Sequence, residues 1–131
     1  MALTVNLTGR VALVTAGGAG IGHGIALELA RCGADVAVVD IDRDRAEATA
    51  TSFRTMGVCS RAVVAEVMET DQVRSAVAEV DRELGRLDIL VNNAGGVAGR
   101  AVPIMIRGGE GGSIINIASI EDGPGAGRQG G

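Results

Sequence analysis

The chain has 131 residues, of which 47% are apolar and 21% charged, and its net charge is −4. That length suits one domain around one core, and that composition excludes a disordered chain. The acidic balance, with arginines scattered singly, argues against a nucleic-acid surface.

No apolar run approaches the roughly 18 residues needed to cross a bilayer. The N-terminus, Met1-Ala2-Leu3-Thr4-Val5-Asn6, lacks the regions of a signal peptide. A cytoplasmic protein with no membrane partner is therefore expected. Cys32 and Cys59 lack metal-binding spacing, and His23 is the only histidine, so both thiols read as reduced and structural and no metal is expected.

Arg10 to Thr15 reads as a first strand. Five glycines follow within eight residues, namely Gly17, Gly18, Gly20, Gly22 and Gly24. Ile21, Ile25 and Leu29 then recur at helical spacing, which predicts a helix from Gly20 to Cys32 stopped by Gly33. Ala34 to Asp40 reads as a second strand, apolar enough to be covered on both faces. Asp42 can cap an alanine-rich helix that runs to about Met56 and ends at Gly57.

Arg61 to Ala65 reads as a third strand. Thr70 or Asp71 can cap the next helix, whose apolar face is Val73, Ala76, Val77, Val80 and Leu84 and which Gly85 ends. Leu87 to Val91 reads as a fourth strand and Ser113 to Ile117 as a fifth. The alternation of strand and helix predicts parallel strands joined by right-handed crossovers. Between the last two strands lie only the residues 96–112, where Val102 to Ile106 is too short for a good helix. The whole of 1–131 is expected to be one partial domain, with 120–131 a mobile glycine-rich tail.

The stretch Val11 to Gly24 is a strand, a tight turn and a helix, with glycine where a side chain would block an approach. Free N–H groups and the positive end of the helix dipole can then hold a phosphate. The usual spacing of three glycines is broken by His23, while Thr15, Gly20 and Gly22 fit Thr-x-x-x-x-Gly-x-Gly. A glycine-rich connection that holds no ligand is the plainer reading of this stretch alone. Parallel sheets bind ligands beyond the C-terminal ends of their strands. Polar residues fall at each of those ends: the glycine turn, Asp40, Glu66, Asn92-Asn93 and Ser119. Asp40 lies twenty residues after Gly20, the spacing of an acid that accepts hydrogen bonds from ribose hydroxyls, with Asp42 the alternative. A carboxylate there favours NAD over NADP, as does the lack of a basic residue at Ala19, while Arg43 and Arg45 close by weigh the other way unless they are simply exposed helix residues.

Thr15-Ala16-Gly17-Gly18-Ala19-Gly20-Ile21-Gly22, Asp40, Asn92-Asn93-Ala94-Gly95 and Ile115-Asn116-Ile117-Ala118-Ser119 together resemble the short-chain dehydrogenase/reductase family, from about Leu7 to the last residue. The resemblance implies an α/β fold, a Rossmann-type doubly wound parallel sheet of strand order 3-2-1-4-5, here incomplete on its C-terminal side. It implies hydride transfer between a nicotinamide dinucleotide and a secondary alcohol or ketone. By this resemblance Thr15, Gly17, Gly18, Gly20, Ile21 and Gly22 hold the pyrophosphate, and Asp40 and Ile41 meet the ribose. Glu66 and Val67 sit beside the adenine, Asn93, Ala94 and Gly95 line the cofactor, and Ser119 is the catalytic serine.

Four departures qualify that implication. Ala16 stands where the family has glycine, a mild change. The family's Tyr-x-x-x-Lys should follow Ser119, yet the chain stops twelve residues later and contains no tyrosine and no lysine. The crossover helix that carries a catalytic asparagine is expected to be missing, as are the sixth and seventh strands. The outer edge of strand five should then invite association into a homo-oligomer. Hydride transfer needs a proton donor or base at the substrate oxygen. A serine hydroxyl alone is too weak an acid for that, so little or no turnover is expected. The alternative is a non-catalytic NAD(H)-binding module, or one that pairs with a full-length relative.

Overall fold

The computed structural model describes residues 5–92, 103–105, 107 and 112–116. Its elements in chain order are β1 (Val11–Thr15), α1 (Gly20–Arg31), β2 (Asp35–Asp40), α2 (Arg43–Arg54), β3 (Ser60–Val64), α3 (Thr70–Leu84), β4 (Ile89–Asn92) and β5 (Ser113–Asn116). The strands form one sheet in the order β3-β2-β1-β4-β5, with every pair parallel. This is the doubly wound order that the family resemblance implies. The order reverses between β1 and β4, which places a crevice beyond their C-terminal ends.

Alternation along the strands divides the core. Val11, Leu13, Ala37, Val39 and Val63 face α3, where they meet Val73, Ala76, Val77 and Val80. Val14, Val36, Val38 and Val91 face the other way, onto Ala26 and Ala30 of α1 and Ala46 and Phe53 of α2. The alanines leave little side chain between helix and sheet, so the single phenyl ring fills the space between α2 and the strands.

Some boundaries differ from expectation. Neither Thr70 nor Asp71 caps α3; Glu69 holds the cap position and its side chain makes no capping bond. The Glu69 N–H instead donates to the Glu66 carbonyl oxygen at 3.0 Å, so a tight turn prepares the helix start. Pro103, Ile104, Met105 and Arg107 are helical, where the sequence was expected to be too short for a helix. Proline suits a first helical turn because it needs no N–H partner there. Met105 is buried in the cluster under α3, and Arg107 pairs with Asp81 of α3. β5 is exposed along its whole length, including Ile114 and Ile115. Ile117, Ser119 and the tail 120–131 lie outside the described residues. Among the described residues, no helix is long and apolar enough to cross a membrane.

The N-terminal end of the sheet is tied by one buried carboxylate. Asp88 accepts from the Val11 N–H at 2.8 Å and from both arms of Arg86, at 2.9 Å and 2.6 Å, while Arg10 approaches at 3.5 Å. Its own N–H donates to the Val11 carbonyl oxygen, and its carbonyl oxygen accepts from Ser113 of β5. One residue thus joins β1, β4 and β5. Burial pushes its carboxyl pKa up, but the Arg86 and Val11 hydrogen bonds and the two arginine charges outweigh this and hold it below the usual carboxylate range. Asp88→Ala should cost about 2–3 kcal/mol in denaturant unfolding, because it strands the Val11 N–H and removes a bidentate partner. A carboxyl with a lowered folded pKa stabilises above its unfolded value and loses that contribution as pH falls through the folded one. The drop in stability between about pH 5 and about pH 3 should therefore be smaller in Asp88→Ala than in the parent chain.

Candidate cofactor site

β1 delivers the chain to the turn at Thr15, which is fully buried and donates its hydroxyl to the Val91 carbonyl oxygen of β4 at 3.4 Å. The next residue, Ala16, has φ of +54°, in the left-handed region. There an alanine methyl crowds its own backbone, so the change from the family's glycine is a strained one rather than a mild one. Gly17 returns a hydrogen bond to the Val39 carbonyl oxygen at 3.2 Å, locking the turn against β2.

In this turn Gly18 and Gly22 are required by contact. A Cβ at Gly22 would stand 2.4 Å from the Ala16 carbonyl oxygen, which is backbone and cannot step aside. A Cβ at Gly18 would stand 2.6 Å from a carboxylate oxygen of Asp40 and 2.9 Å from the Arg45 Cβ. Gly20 has φ of +63° and open space around it, so conformation alone favours glycine there. α1 then starts at Ala19 with no capping side chain and no acid in its first turn, whereas α2 is capped by Asp42 and carries Asp44. The α1 N-terminus is thus the one of these two that no carboxylate covers, the condition under which an anion can approach its N–H groups.

An open cleft of about 250 Å³ adjoins this turn, lined by residues that follow β1, β2 and β3, among them Ala19, Asp40, Ile41, Arg45, Glu66 and Val67. Asp40 is only 5% exposed. Its carboxylate accepts from the Gly18 N–H at 3.0 Å, from the Asp42 N–H at 2.9 Å and from the Arg45 guanidinium at 3.2 Å. Burial raises its pKa, yet these bonds and the Arg45 charge hold it below the ordinary carboxylate range. Glu66 accepts from the Met68 N–H at 3.0 Å, and its own N–H donates to Gln72 at 2.8 Å, which shapes the turn after β3. Ile21 and Ile41 are exposed, and Ile41 lines the cleft.

Of the residues singled out in the sequence, the structure brings Asp40, Ile41, Glu66 and Val67 around one opening, with the Gly18 N–H bonded to the Asp40 carboxylate. Thr15 and Gly17 stand behind it, in the turn's own framework. Asn93, Ala94, Gly95 and Ser119 lie outside the described residues. His23, expected in the phosphate turn, sits in the first turn of α1 with its ring 6.2 Å from that of Phe53. Of two further features, Arg45 reads in the sequence as an exposed helix residue, and the pairing of Asn92 with Asn116 is not singled out there. Arg45 enters the site because Asp42 caps α2 and so aims the helix's first turn at Asp40. At the ends of β4 and β5, the Asn92 amide donates to Asn116 at 3.1 Å, while the buried Asn92 Oδ1 has no partner among the described residues. The side-by-side register of Asn92 and Asn116 needs the sheet order, which spacing alone does not supply.

A nicotinamide dinucleotide fits these residues. The turn leaves a helix N-terminus uncapped, the cleft is lined by the acids Asp40 and Glu66, and a buried amide oxygen of Asn92 has no partner among the described residues. A parallel sheet of this order, with a glycine turn after its first strand, is the Rossmann-type fold. Residues 10–102 match the short chain dehydrogenase family, and the chain belongs to it. It is similar to a hydroxynaphthalene reductase of Aspergillus fumigatus, 44% identical over 90 residues that make up 68% of this chain and 33% of that protein. Among solved structures it resembles a 7α-hydroxysteroid dehydrogenase complexed with NADH and 7-oxo glycochenodeoxycholic acid, with TM-score 0.84 and 28% identity over 91% of this chain and 56% of that one. It also resembles an NAD⁺-bound xylitol dehydrogenase, with TM-score 0.82 and 30% identity over 91% of this chain and 56% of the other. The chain therefore spans about a third of that curated relative and little more than half of these structures.

Three substitutions separate the reasons for small residues in the turn. Ala16→Gly should stabilise the fold by about 1 kcal/mol by relieving the left-handed alanine. Gly22→Ala should destabilise by roughly 1–3 kcal/mol, since a methyl must displace backbone. Gly24→Ala meets open space inside α1 and should be neutral or gain up to about 1 kcal/mol. Denaturant midpoints of the three variants decide the order.

Proposed function

We propose that the chain is an NAD-preferring dinucleotide-binding unit of a short-chain dehydrogenase/reductase, whose family reaction moves a hydride between the cofactor and a secondary alcohol or ketone. The observation that carries this reading is the cleft that joins the glycine turn to Asp40, Ile41, Glu66 and Val67. In the proposal the α1 N-terminus and the turn from Gly17 to Gly22 hold the pyrophosphate. Asp40 receives the ribose hydroxyls, with Ile41 alongside, and Glu66 and Val67 flank the adenine. Asn93, Ala94 and Gly95 continue the lining toward the nicotinamide, and Ser119 hydrogen-bonds the substrate oxygen. The bound cofactor supplies the hydride donor or acceptor. Support for NAD comes from the carboxylate of Asp40 at the ribose end and from the relatives bound to NAD⁺ or NADH.

Proton transfer limits what these 131 residues do alone. They contain no tyrosine and no lysine, so no group of the family's acid–base pair is present among them. Loss of general acid–base catalysis costs roughly 10²–10⁴-fold in rate. This favours a second reading, in which the chain binds NAD(H) without turnover, alone or beside a full-length relative that supplies those groups. The exposed edge of β5 is consistent with such pairing.

Titration of the 131-residue chain with NADH, followed by the cofactor's own fluorescence, should saturate; no saturation up to millimolar concentration would remove both readings. A panel of secondary alcohols with NAD⁺, followed by NADH absorbance, should give little or no turnover from the purified chain. Robust turnover would overturn the argument from the missing tyrosine and lysine.

A further inference from the structure

We propose that the chain dimerises through β3: two copies lay their β3 edges side by side and antiparallel, and each seats its Arg61 in the other's groove against Glu79. Among the described residues β3 is one end of the sheet, so one side of its backbone has no neighbouring strand. The Val36 N–H donates to the Cys59 carbonyl oxygen at 3.0 Å, and the Ala65 N–H donates to the Asp40 carbonyl oxygen at 3.1 Å. The odd-numbered residues of β3 therefore turn their backbone groups toward β2, and Ala62 and Val64 turn theirs outward. An open edge of this kind is a template for another strand.

The side chains select a second copy of this chain as the occupant. Val63 packs under α3 and Ala62 under α2, so the faces alternate and the exposed Arg61 stands on the α3 side. On that side an open groove of about 230 Å³ separates β3 from α3, with Val63, Asp71, Ser75 and Glu79 in its lining. Asp71 is 3.7 Å from Arg74, whereas Glu79 and Arg61 make no ion pair among the described residues. An acid and a base thus flank the same edge, each without a partner in its own copy. Antiparallel pairing about Ala62 sets Ala62 opposite its counterpart, Ser60 opposite Val64, and Arg61 opposite Val63 of the groove. Arg61 and Val63 then form a pair without direct hydrogen bonds, the kind in which side chains stand closest, with Cα atoms about 4.5 Å apart. Two-fold symmetry repeats the exchange, so one dimer contains two Arg61–Glu79 pairs. The Ser60 carbonyl oxygen accepts from Arg54 Nε at 2.8 Å and keeps a second lone pair for the Val64 N–H. The other end strand, β5, reads Ser-Ile-Ile-Asn and carries no charge to select a partner. The groove shares no lining residue with the cofactor cleft, so the inference stands apart from the cofactor reading.

The test is sedimentation equilibrium of the 131-residue chain, of Arg61→Glu, of Glu79→Arg and of the double variant that exchanges the two charges. The parent chain should pass from monomer to dimer as its concentration rises through roughly 10 μM to 1 mM, the weak range of a small interface. Each single reversal sets like charges against each other and should weaken the dimer by about tenfold or more. The double variant should return to within about threefold of the parent, a recovery that a folding defect would not give. Raising salt should weaken the parent dimer, because these pairs are near solvent. Hydrogen exchange at the Ala62 and Val64 amides should slow as the dimer forms. Ile115→Lys, in β5, should leave the dimer intact. A monomer across the whole range would overturn the inference, as would a dimer that neither reversal changes. Loss of the dimer in Ile115→Lys with Arg61→Glu silent would place the contact at the other edge and overturn it too. Weakening in both single variants without recovery in the double variant would overturn the Arg61–Glu79 pairing on which the inference stands.

Discussion

The Ala16 carbonyl oxygen and Gly22 lie so close that the first turn of α1 is packed onto the chain that has just left β1. No residue with a side chain can occupy Gly22 without moving that backbone. The approach fixes where α1 begins and hence where its axis points. From that start, Ala26 and Ala30 reach the strands near Val14, Val36 and Val38 with no bulk between them. The N-terminus of α1 is then left over the C-terminal ends of the strands, uncapped by any side chain. Helix packing and the opening beside the turn are consequences of one backbone contact.

Asp40 serves that same turn from the other side. Its carboxylate takes the Gly18 N–H and so holds the loop against the end of β2. That N–H is then held by the protein itself. Gly18 is small because a carboxylate lies beside it, whereas Gly22 is small because a carbonyl does. Glycines that look alike in sequence answer different neighbours. At the opposite end of the sheet Asp88 is equally buried and equally paired, yet it lies at the N-terminal ends of the strands, where it ties β1 to β4 and β5. Position relative to the sheet, more than burial or charge, separates the carboxylate at the cleft from the structural one.

Much of the fold was legible because its signals are local. Valine runs in β1 and β2, the stripe Val73, Ala76, Val77 and Val80, and the stops at Gly33, Gly57 and Gly85 mark elements without reference to distant residues. Asp42 as the cap of α2 was readable for the same reason. The start of α3 was not, because a backbone turn at Glu66 puts Glu69 at the cap position, with no capping side chain. The site was legible as a set of strand ends, which brought the glycine turn at Ala19, Asp40 and Glu66 to one region. What spacing could not show was the partner of each charge. Arg45 looks like an exposed helix residue in sequence and becomes part of the cleft only when α2 is aimed at Asp40. The strain at Ala16 was equally hidden, since it is a property of φ and not of size.

His23 and Phe53 rest against each other across α1 and α2, and they are the chain's single imidazole and single phenyl ring. With no tyrosine or tryptophan, every carbon-bound aromatic proton of the chain belongs to these two side chains. One ring stands in the first turn of the helix that faces the cleft, the other in the helix that carries Arg45. The pair is a built-in resonance probe of how those helices sit together. It can be read without a label, on an optical background that leaves a nicotinamide's own emission unobscured.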